Sequence, residues 1–580
     1  MIDVRTDNRG LRRVRAPWQD GTHLVNQIAQ LLQQGSELHR VGRFGEAERC
    51  YRRVLELDIR NADAWNLLGM IAERAGRFDA AVDCIRHAIE LQPNNPSYLN
   101  NLGTIFEGEV HYDNAIACFR EAIRIRPNYA TAYCNLGEVY KAKGDVHQAI
   151  DCYREALAFD PYFFACRSNL LMVLNYNPEI TPAMIFEEHC RWGTLKRLVS
   201  PPPITGHRNR RDPDRRLRIG YVSPDLRKHA VARFFEPVLR HHDRSQFSVH
   251  LYAEIPGMDA VSERFKSLAQ GWQQTVMLST DQAAQQVMND EIDILVDLAG
   301  HTRHNRLDIF VRRPAPVQVT YLGYSNTSGI DTIDYRVSDA TLDPPEERLP
   351  MTEQVLRIDG SFACFEPPDN SPPVSPLPMR SRGYITFGSH HPTIKLNDHV
   401  LKLWRRVLEA IPTARLLFFR NQFRDDVARE FRERLATLGY PLDRVDIRCP
   451  TDKEDSYLKL FDEIDVVFDT FPFNSHTMTC EALWMGVPLV TLYGDRPTSR
   501  LSTSVLRQLQ LPELTADTLD GYVAACRQIA SNVDRLAELR RTMRERMRER
   551  LCDGATFTRQ LEALYRQMWR RWCGGGGGGR

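Results

Sequence analysis

Residues 62–95 read ADAWNLLGMIAERAGRFDAAVDCIRHAIELQPNN, and residues 96–129 read PSYLNNLGTIFEGEVHYDNAIACFREAIRIRPNY. Laid over each other, the two lines agree at a spacing of 34 residues. Gly69 falls on Gly103, Ala81 on Ala115 and Pro93 on Pro127. The period extends outward to Gly35 and Gly137, to Ala47 and Ala149, and to Pro161. A bulky residue stands four positions after each Ala: Tyr51, Ile85, Phe119 and Tyr153. Small Gly and Ala let the two helices of a hairpin approach closely. The Pro ends the second helix, because it cannot continue the hydrogen-bond ladder.

This pattern resembles the tetratricopeptide repeat, with Trp65, Leu68, Gly69, Ala81, Ala88 and Pro93 at the signature positions of one unit. It predicts repeats at 28–61, 62–95, 96–129 and 130–163, and a further helix near 164–177 in which Leu171 replaces the Gly. Stacked repeats make a superhelix with a concave face. Asn101, Asn135 and Asn169 share one position, two before the Gly column. An Asn amide can pair with both the N–H and the C=O of an extended peptide, so the column is a candidate acceptor-binding ladder. Bracing between neighbouring helices explains it equally well. Cys50, Cys84, Cys118 and Cys152 also keep the period, which makes them packing positions.

The whole chain has 580 residues, with 76 Lys and Arg against 75 Asp and Glu, a net charge of +1. That length predicts roughly four units at about 150 residues each. Near-zero charge supplies no global field for nucleic acid, so no nucleic-acid partner is expected. No run of 18 apolar residues occurs, so no membrane partner is expected either. Arg5, Arg9, Arg12, Arg13 and Arg15 are followed by no apolar region, which excludes a secretory signal from this reading. The 13 cysteines contain no CxxC pair, which fits reduced thiols in a cytoplasm.

A Pro-rich, charged stretch within 199–216, SPPPITGHRNRRDPDR, reads as a linker. Apolar strands follow at Leu217–Val222, Ile292–Leu298 and Val317–Leu322, alternating with helical stretches. A second Pro-rich break lies within 366–378. The alternation then restarts, with strands at Tyr384–Phe387, Arg415–Phe419, Val445–Arg448, Val466–Asp469 and Pro488–Leu492. Two doubly wound parallel sheets are predicted, with ligands at the carboxyl ends of their strands.

Those ends carry the candidate residues. The segment FPFNSHTMT (471–479) enters a helix near Cys480, so Thr477 and Thr479 fall in a first turn whose free N–H groups suit a phosphate. Glu481 follows, within reach of a ribose diol. Lys395, in GSHHPTIK, can neutralise a diphosphate leaving group across a cleft. His229 and His301 lie in loops after two strands of the first sheet, as a base, a phosphate partner or plain hydrogen-bonding groups. The DxD at Asp212–Asp214 lies in the linker, so a metal-free diphosphate site is expected and no cofactor is required.

Taken together, IGYVSPDLRKH (219–229), DLAGHTRHNRLDIFVRRPAPVQVTYLGYSNTSG (297–329) and FDTFPFNSHTMTCEALWMGVPLVTL (468–492), with Ser499-Arg500, resemble the O-GlcNAc transferase family, glycosyltransferase family 41. The resemblance is closest to bacterial members and covers most of residues 28–555. It implies a tetratricopeptide superhelix followed by a GT-B core of two Rossmann-like halves. It also implies inverting transfer of N-acetylglucosamine from UDP-GlcNAc to Ser or Thr hydroxyls, with a protein or peptide acceptor in the repeat groove. By motif, Lys395 matches the diphosphate lysine, His476 and Thr477 the uridine and phosphate loop, Glu481 the ribose acid, and His229 the histidine near sugar and acceptor. Three departures stand out: Ser325-Asn326 for the usual Pro-Gly, His390-His391-Pro392 for Phe-Asn-Arg, and Tyr457 with Leu460 for a His-x-x-Arg.

The expected organisation is an N-terminal extension (1–27), repeats (28–178), a helical connection and linker (179–215), the first Rossmann-like half (216–365), a linker (366–382), the second, UDP-binding half (383–555), and a C-terminal helix with a Gly tail (556–580). The Arg-rich helix 533–551 offers a surface that could pair. Two alternatives remain open from sequence. One is a repeat-based adaptor whose GT-B body only senses UDP or is inactive. The other is the same enzyme class with a different UDP-sugar.

Overall fold

The structure is a computed structural model that describes residues 17–450 and 454–575. The five N-terminal arginines and the glycines after Gly575 lie outside the described residues. The chain falls into two compact units that part between Pro127 and Asn128.

The first unit holds three helix pairs: Pro17–Arg40 with Phe44–Leu57, Ala62–Arg74 with Phe78–Leu91, and Pro96–Gly108 with Tyr112–Ile125. The leading helix therefore begins inside the segment expected as an extension. The Gly column works as close-approach spacing. A Cβ at Gly69 would fall 2.5 Å from the Ile85 side chain, and one at Gly103 would fall 2.7 Å from the Phe119 ring. Ala47, Ala81 and Ala115 are fully buried. Asn61 and Asn95 cap the second and third pairs by accepting the Ala64 and Ser97 N–H groups.

The second unit opens with the fourth repeat, Ala130–Lys143 and Val146–Phe159, then the helices Phe164–Leu174 and Pro182–Val199. The expected repeat domain is thus divided, and its last third belongs with the α/β body. Side-chain chemistry explains why: Thr393 donates to Ala142 O at 2.5 Å, and Ser168 Oγ pairs with His301 Nδ1 at 3.2 Å.

Thirteen strands follow among the described residues: β1 Leu217–Ser223, β2 Phe247–Ala253, β3 Gly271–Gln274, β4 Ile294–Asp297, β5 Val317–Thr320, β6 Tyr335–Asp339, β7 Gln354–Ile358, β8 Thr386–Ser389, β9 Arg415–Phe419, β10 Val445–Arg448, β11 Val466–Phe468, β12 Leu489–Leu492 and β13 Thr515–Ala516. The first sheet has the order β3-β2-β1-β4-β5-β6-β7 and the second β10-β9-β8-β11-β12-β13. The pairs are parallel throughout. In each sheet the order reverses beside the first strand, at β1/β4 and at β8/β11. Those two switch points leave crevices at the carboxyl ends.

The C-terminal helix Gly554–Cys573 returns to the first half. There Tyr221 donates to Tyr565 at 3.3 Å, and Glu562 accepts from His242 at 2.9 Å. The Arg-rich helix Val533–Arg550 buries Leu536, Leu539, Met543 and Met547, so its apolar face is covered by its own body. No described helix is long and apolar enough to cross a membrane. All 13 cysteines are free thiols.

Candidate active site

Both switch points open onto one cavity of about 230 Å³, lined by His229, Phe234, Ser325 and Phe362 from the first half and Lys395, Ser475, His476 and Thr477 from the second. Lys395 ends the short turn Thr393–Lys395 after β8. Its Nζ donates to Asn474 O at 2.6 Å and to Ser475 Oγ at 2.8 Å. It also lies 4.4 Å from the centre of the Phe473 ring. Burial pushes its amine down to about 7, against the opposing pull of Asp469. An anion entering here would restore the ammonium charge.

The helix His476–Trp484 starts at this amine. Ser475 is its N-cap residue, but its side chain makes no capping hydrogen bond. Thr477 is therefore inside the turn and not its cap, and it faces the cavity. The loop before the helix is held by Asp469 at the end of β11, which accepts from Thr470 N, Ser475 N and Thr491 Oγ1. Uncapped N–H groups, the helix dipole and a buried amine converge here, an arrangement whose chemistry suits an anion.

His476 is clamped between rings of the first half, Phe234 at 4.5 Å and Phe362 at 4.8 Å. Its Nε2 is buried without a hydrogen-bond partner, and burial pushes the ring down to about 3, so it is neutral. His229 stands on the opposite wall with its side chain 41% exposed. Its Nδ1 lies 3.4 Å from Asp225 Oδ1 and accepts the Val231 N–H at 3.3 Å. Burial lowers its pKa more than Asp225 raises it, which leaves a neutral imidazole facing the cavity near neutral pH.

Glu481 sits farther along the helix. Tyr457 donates to it at 2.7 Å, and Arg233 approaches within 4.0 Å. Tyr457 is one of the family departures, so the chain has placed a phenol on the expected ribose acid. His390 packs flat on Phe419 at 5.4 Å, and His391 Nε2 faces Asp469 at 3.5 Å.

Two expected donor-binding residues point elsewhere. Thr479 is 2% exposed and pairs with Ser502 at 2.8 Å, because its helical position faces the helix Leu501–Gln508. His301 is fully buried outside the cavity lining. Its Nε2 donates to Ser328 O at 2.8 Å, and its ring packs against His189 and Trp192 at 5.1 Å each. It ties the loop to the helices behind. The Asn column is half-buried. Asn101 donates to Asn66 at 3.0 Å, and Asn169 lies 3.9 Å from Cys134 Sγ, which are helix-to-helix contacts. Sequence reasoning missed Phe234, Phe362, Phe473 and Asp469 as parts of the site. Phe473 and Asp469 stood inside the quoted motif, whereas nothing local marks Phe234 or Phe362. Among the described residues no group of three or more His, Cys, Asp or Glu is disposed to hold a metal ion.

The model of glycosyl transferase family 41 matches residues 190–364 and 381–561. Tetratricopeptide models match 32–96, 111–144 and 130–163. The chain is 39% identical over 413 residues to the tomato (Solanum lycopersicum) protein named probable UDP-N-acetylglucosamine–peptide N-acetylglucosaminyltransferase SPINDLY, across 70% of this chain and 44% of that one. It is 27% identical over 374 residues to the Arabidopsis thaliana protein of the same description named SEC, across 62% of this chain and 38% of that one. The chain thus spans less than half the length of these curated relatives. A mutant of the Thermobaculum terrenum O-GlcNAc transferase superposes with a TM-score of 0.77 at 32% identity, covering 95% of this chain and 99% of that one.

Proposed function

Because the chain belongs to glycosyltransferase family 41, we propose that it moves N-acetylglucosamine from UDP-GlcNAc to Ser or Thr hydroxyls of proteins, with inversion and without a metal ion. One observation carries the reading: the Lys395 amine is held at the uncapped start of the helix His476–Trp484, in a cavity that both halves line. The acceptor oxygen attacks the anomeric carbon from one face while the bond to the diphosphate breaks on the other. The departing electron pair goes to UDP, whose charge Lys395 and the first-turn N–H groups of the helix stabilise. Thr477 adds a hydroxyl at the same turn. The hydroxyl proton leaves as the new bond forms: His229, neutral on the opposite wall, accepts it, or it positions acceptor and sugar while the proton passes to water. The tetratricopeptide repeats supply surface for the polypeptide acceptor, braced by the helix-to-helix contacts of Asn101 and Asn169.

The same reaction with another nucleotide sugar is the second reading. The departure at Tyr457 and Leu460 favours it, because the family's His-x-x-Arg lies on the uridine side, where Tyr457 here bonds Glu481 instead. UDP calorimetry and a transfer assay on a proteome extract test the reading, with a panel of nucleoside diphosphate sugars and with chelator present. Binding, chelator-resistant labelling from UDP-GlcNAc, and loss of both in Lys395→Ala are expected. Labelling from a different donor selects the second reading. Binding with neither labelling nor hydrolysis for any donor leaves an adaptor that senses UDP.

A further inference from the structure

Asn175 and Tyr176 follow directly on the helix Phe164–Leu174 and reach opposite walls of the cavity. Asn175 is fully buried. Its Nδ2 donates to Leu171 O at 2.8 Å and to the Tyr324 hydroxyl at 3.1 Å. Its Oδ1 accepts from Asn326 Nδ2 at 3.0 Å. Tyr324 in turn pairs with His189 Nε2 at 2.8 Å, and His189 Nδ1 with Ile185 O at 2.6 Å. The direction of this chain is determined. A carbonyl only accepts, so the imidazole proton sits on Nδ1, Nε2 accepts, and Tyr324 gives its proton to it.

Tyr324 and Asn326 flank Ser325, which lines the cavity. The helix Pro182–Val199 backs the same loop, backbone against backbone. A Cβ on Gly193 would fall 1.9 Å from Gly329 O, so only Gly fits. Tyr176 turns the other way. Its ring stacks on Phe473 at 4.8 Å and 20°, and Lys395 lies on that same phenyl ring. Phe473 belongs to the second half, and the Tyr324–Asn326 loop to the first.

We infer that Asn175 and Tyr176 form a brace that holds the two walls of the cavity at the separation transfer requires, and that they are positioning residues for the reaction. The inference rests on the glycosyl-transfer reading above. In that reading the second half holds the diphosphate and the first half meets sugar and acceptor, so in-line attack depends on the spacing of the walls. A shift of about 1 Å between reacting groups can cost about a hundredfold in rate. The brace also assigns the departure at 326. Neither Pro nor Gly offers a side-chain donor to Asn175 Oδ1, whereas Asn326 supplies one, and the pair 175/326 is matched.

The test uses the full chain with Asn175→Ala, Tyr176→Ala, Tyr176→Phe and Asn326→Ala. Transfer kcat is expected to fall about tenfold or more in the three Ala variants. In Asn175→Ala and Asn326→Ala the UDP dissociation constant is expected to move less than about threefold, because neither residue touches Lys395, Phe473 or the start of the helix His476–Trp484. Tyr176→Phe keeps the stacked ring and retains most of kcat. Amide exchange in the free protein is expected to rise in both 322–329 and 471–479 in Asn175→Ala and Tyr176→Ala. Unchanged kcat, or losses of kcat and UDP affinity in equal proportion, would overturn the brace. So would faster exchange confined to the helix 164–174, a result that needs no activity. If the wild type transfers no sugar, the functional reading fails, and the exchange data alone still judge whether the two walls are tied.

Discussion

At Lys395 the chain keeps a buried amine whose charge depends on what it faces. With its pKa pushed down to about 7, the free protein loses this charge as pH rises past neutrality. A bound diphosphate stabilises the ammonium, so ligand binding above that point takes up a proton. Between about pH 7 and pH 9, UDP affinity is expected to fall as pH rises, by up to about tenfold per unit. Calorimetry in two buffers of different ionisation enthalpy reads the uptake directly, as a binding enthalpy that differs between them. A pH-independent affinity over that window would contradict the assignment. The two threonines of the same helix separate cleanly. Thr477→Val removes a cavity hydroxyl and is expected to weaken UDP about three- to tenfold. Thr479→Val leaves UDP binding within about twofold and costs about 1 kcal/mol of stability, because Ser502 loses its partner. Titration and thermal unfolding of the pair decide it. This is where the sequence ran short. Lys395, His476, Thr477 and His229 reach the cavity that their motifs suggested. Thr479 and His301 carry equally suitable chemistry, but Ser502, Ser168 and Ser328 take their polar atoms, and those partners are remote in sequence.

Among the elements, most strands that carry apolar residues between turn signals are readable from the chain, and the more polar strands of the first sheet are not. Arg415–Phe419 and Val445–Arg448 have the bounds their composition predicts. The first sheet also contains GWQQ at its edge and YRVSD, in which buried Arg336 pairs with Asp343. Polar residues satisfied by distant partners hide a strand from any pattern of hydrophobicity. The repeats show the opposite case, since the 34-residue Gly column maps onto close contacts of its own hairpins. Gly103→Ala would put a methyl 2.7 Å from the buried Phe119 ring, a clash with no flexible end to yield. The expected cost is about 1–3 kcal/mol, read as a lower unfolding temperature. Gly45→Ala meets nothing within 4 Å in the helix Phe44–Leu57. It is expected to be neutral or to stabilise by about 0.5–1 kcal/mol. Equal effects of the two substitutions would remove close approach as the reason for the Gly column.

For the whole molecule, the near-neutral charge of +1 is compatible with a site that concentrates its positive potential in one amine and one helix terminus. Every cavity-lining residue lies in the second compact unit, which begins at Asn128. The fourth repeat and the helices to Val199 belong to that unit too, so a cut at the end of the predicted repeats, after residue 178, would strip Asn175 and Tyr176 from the site. A cut between Pro127 and Asn128 removes none of them. A chain starting at Asn128 is therefore expected to bind UDP within about threefold of the full chain, since distant changes with no shared partners add little. One starting after Asn177 is expected to lose transfer. Because the first unit holds three of the four repeats, its removal is expected to lower transfer to intact proteins more than transfer to a short peptide. Calorimetry and parallel assays on the two acceptors check both statements. Loss of UDP binding on removal of residues 1–127 would mean that the first unit contributes to the donor site. Equal losses on both acceptors would take polypeptide binding away from the three repeats of the first unit.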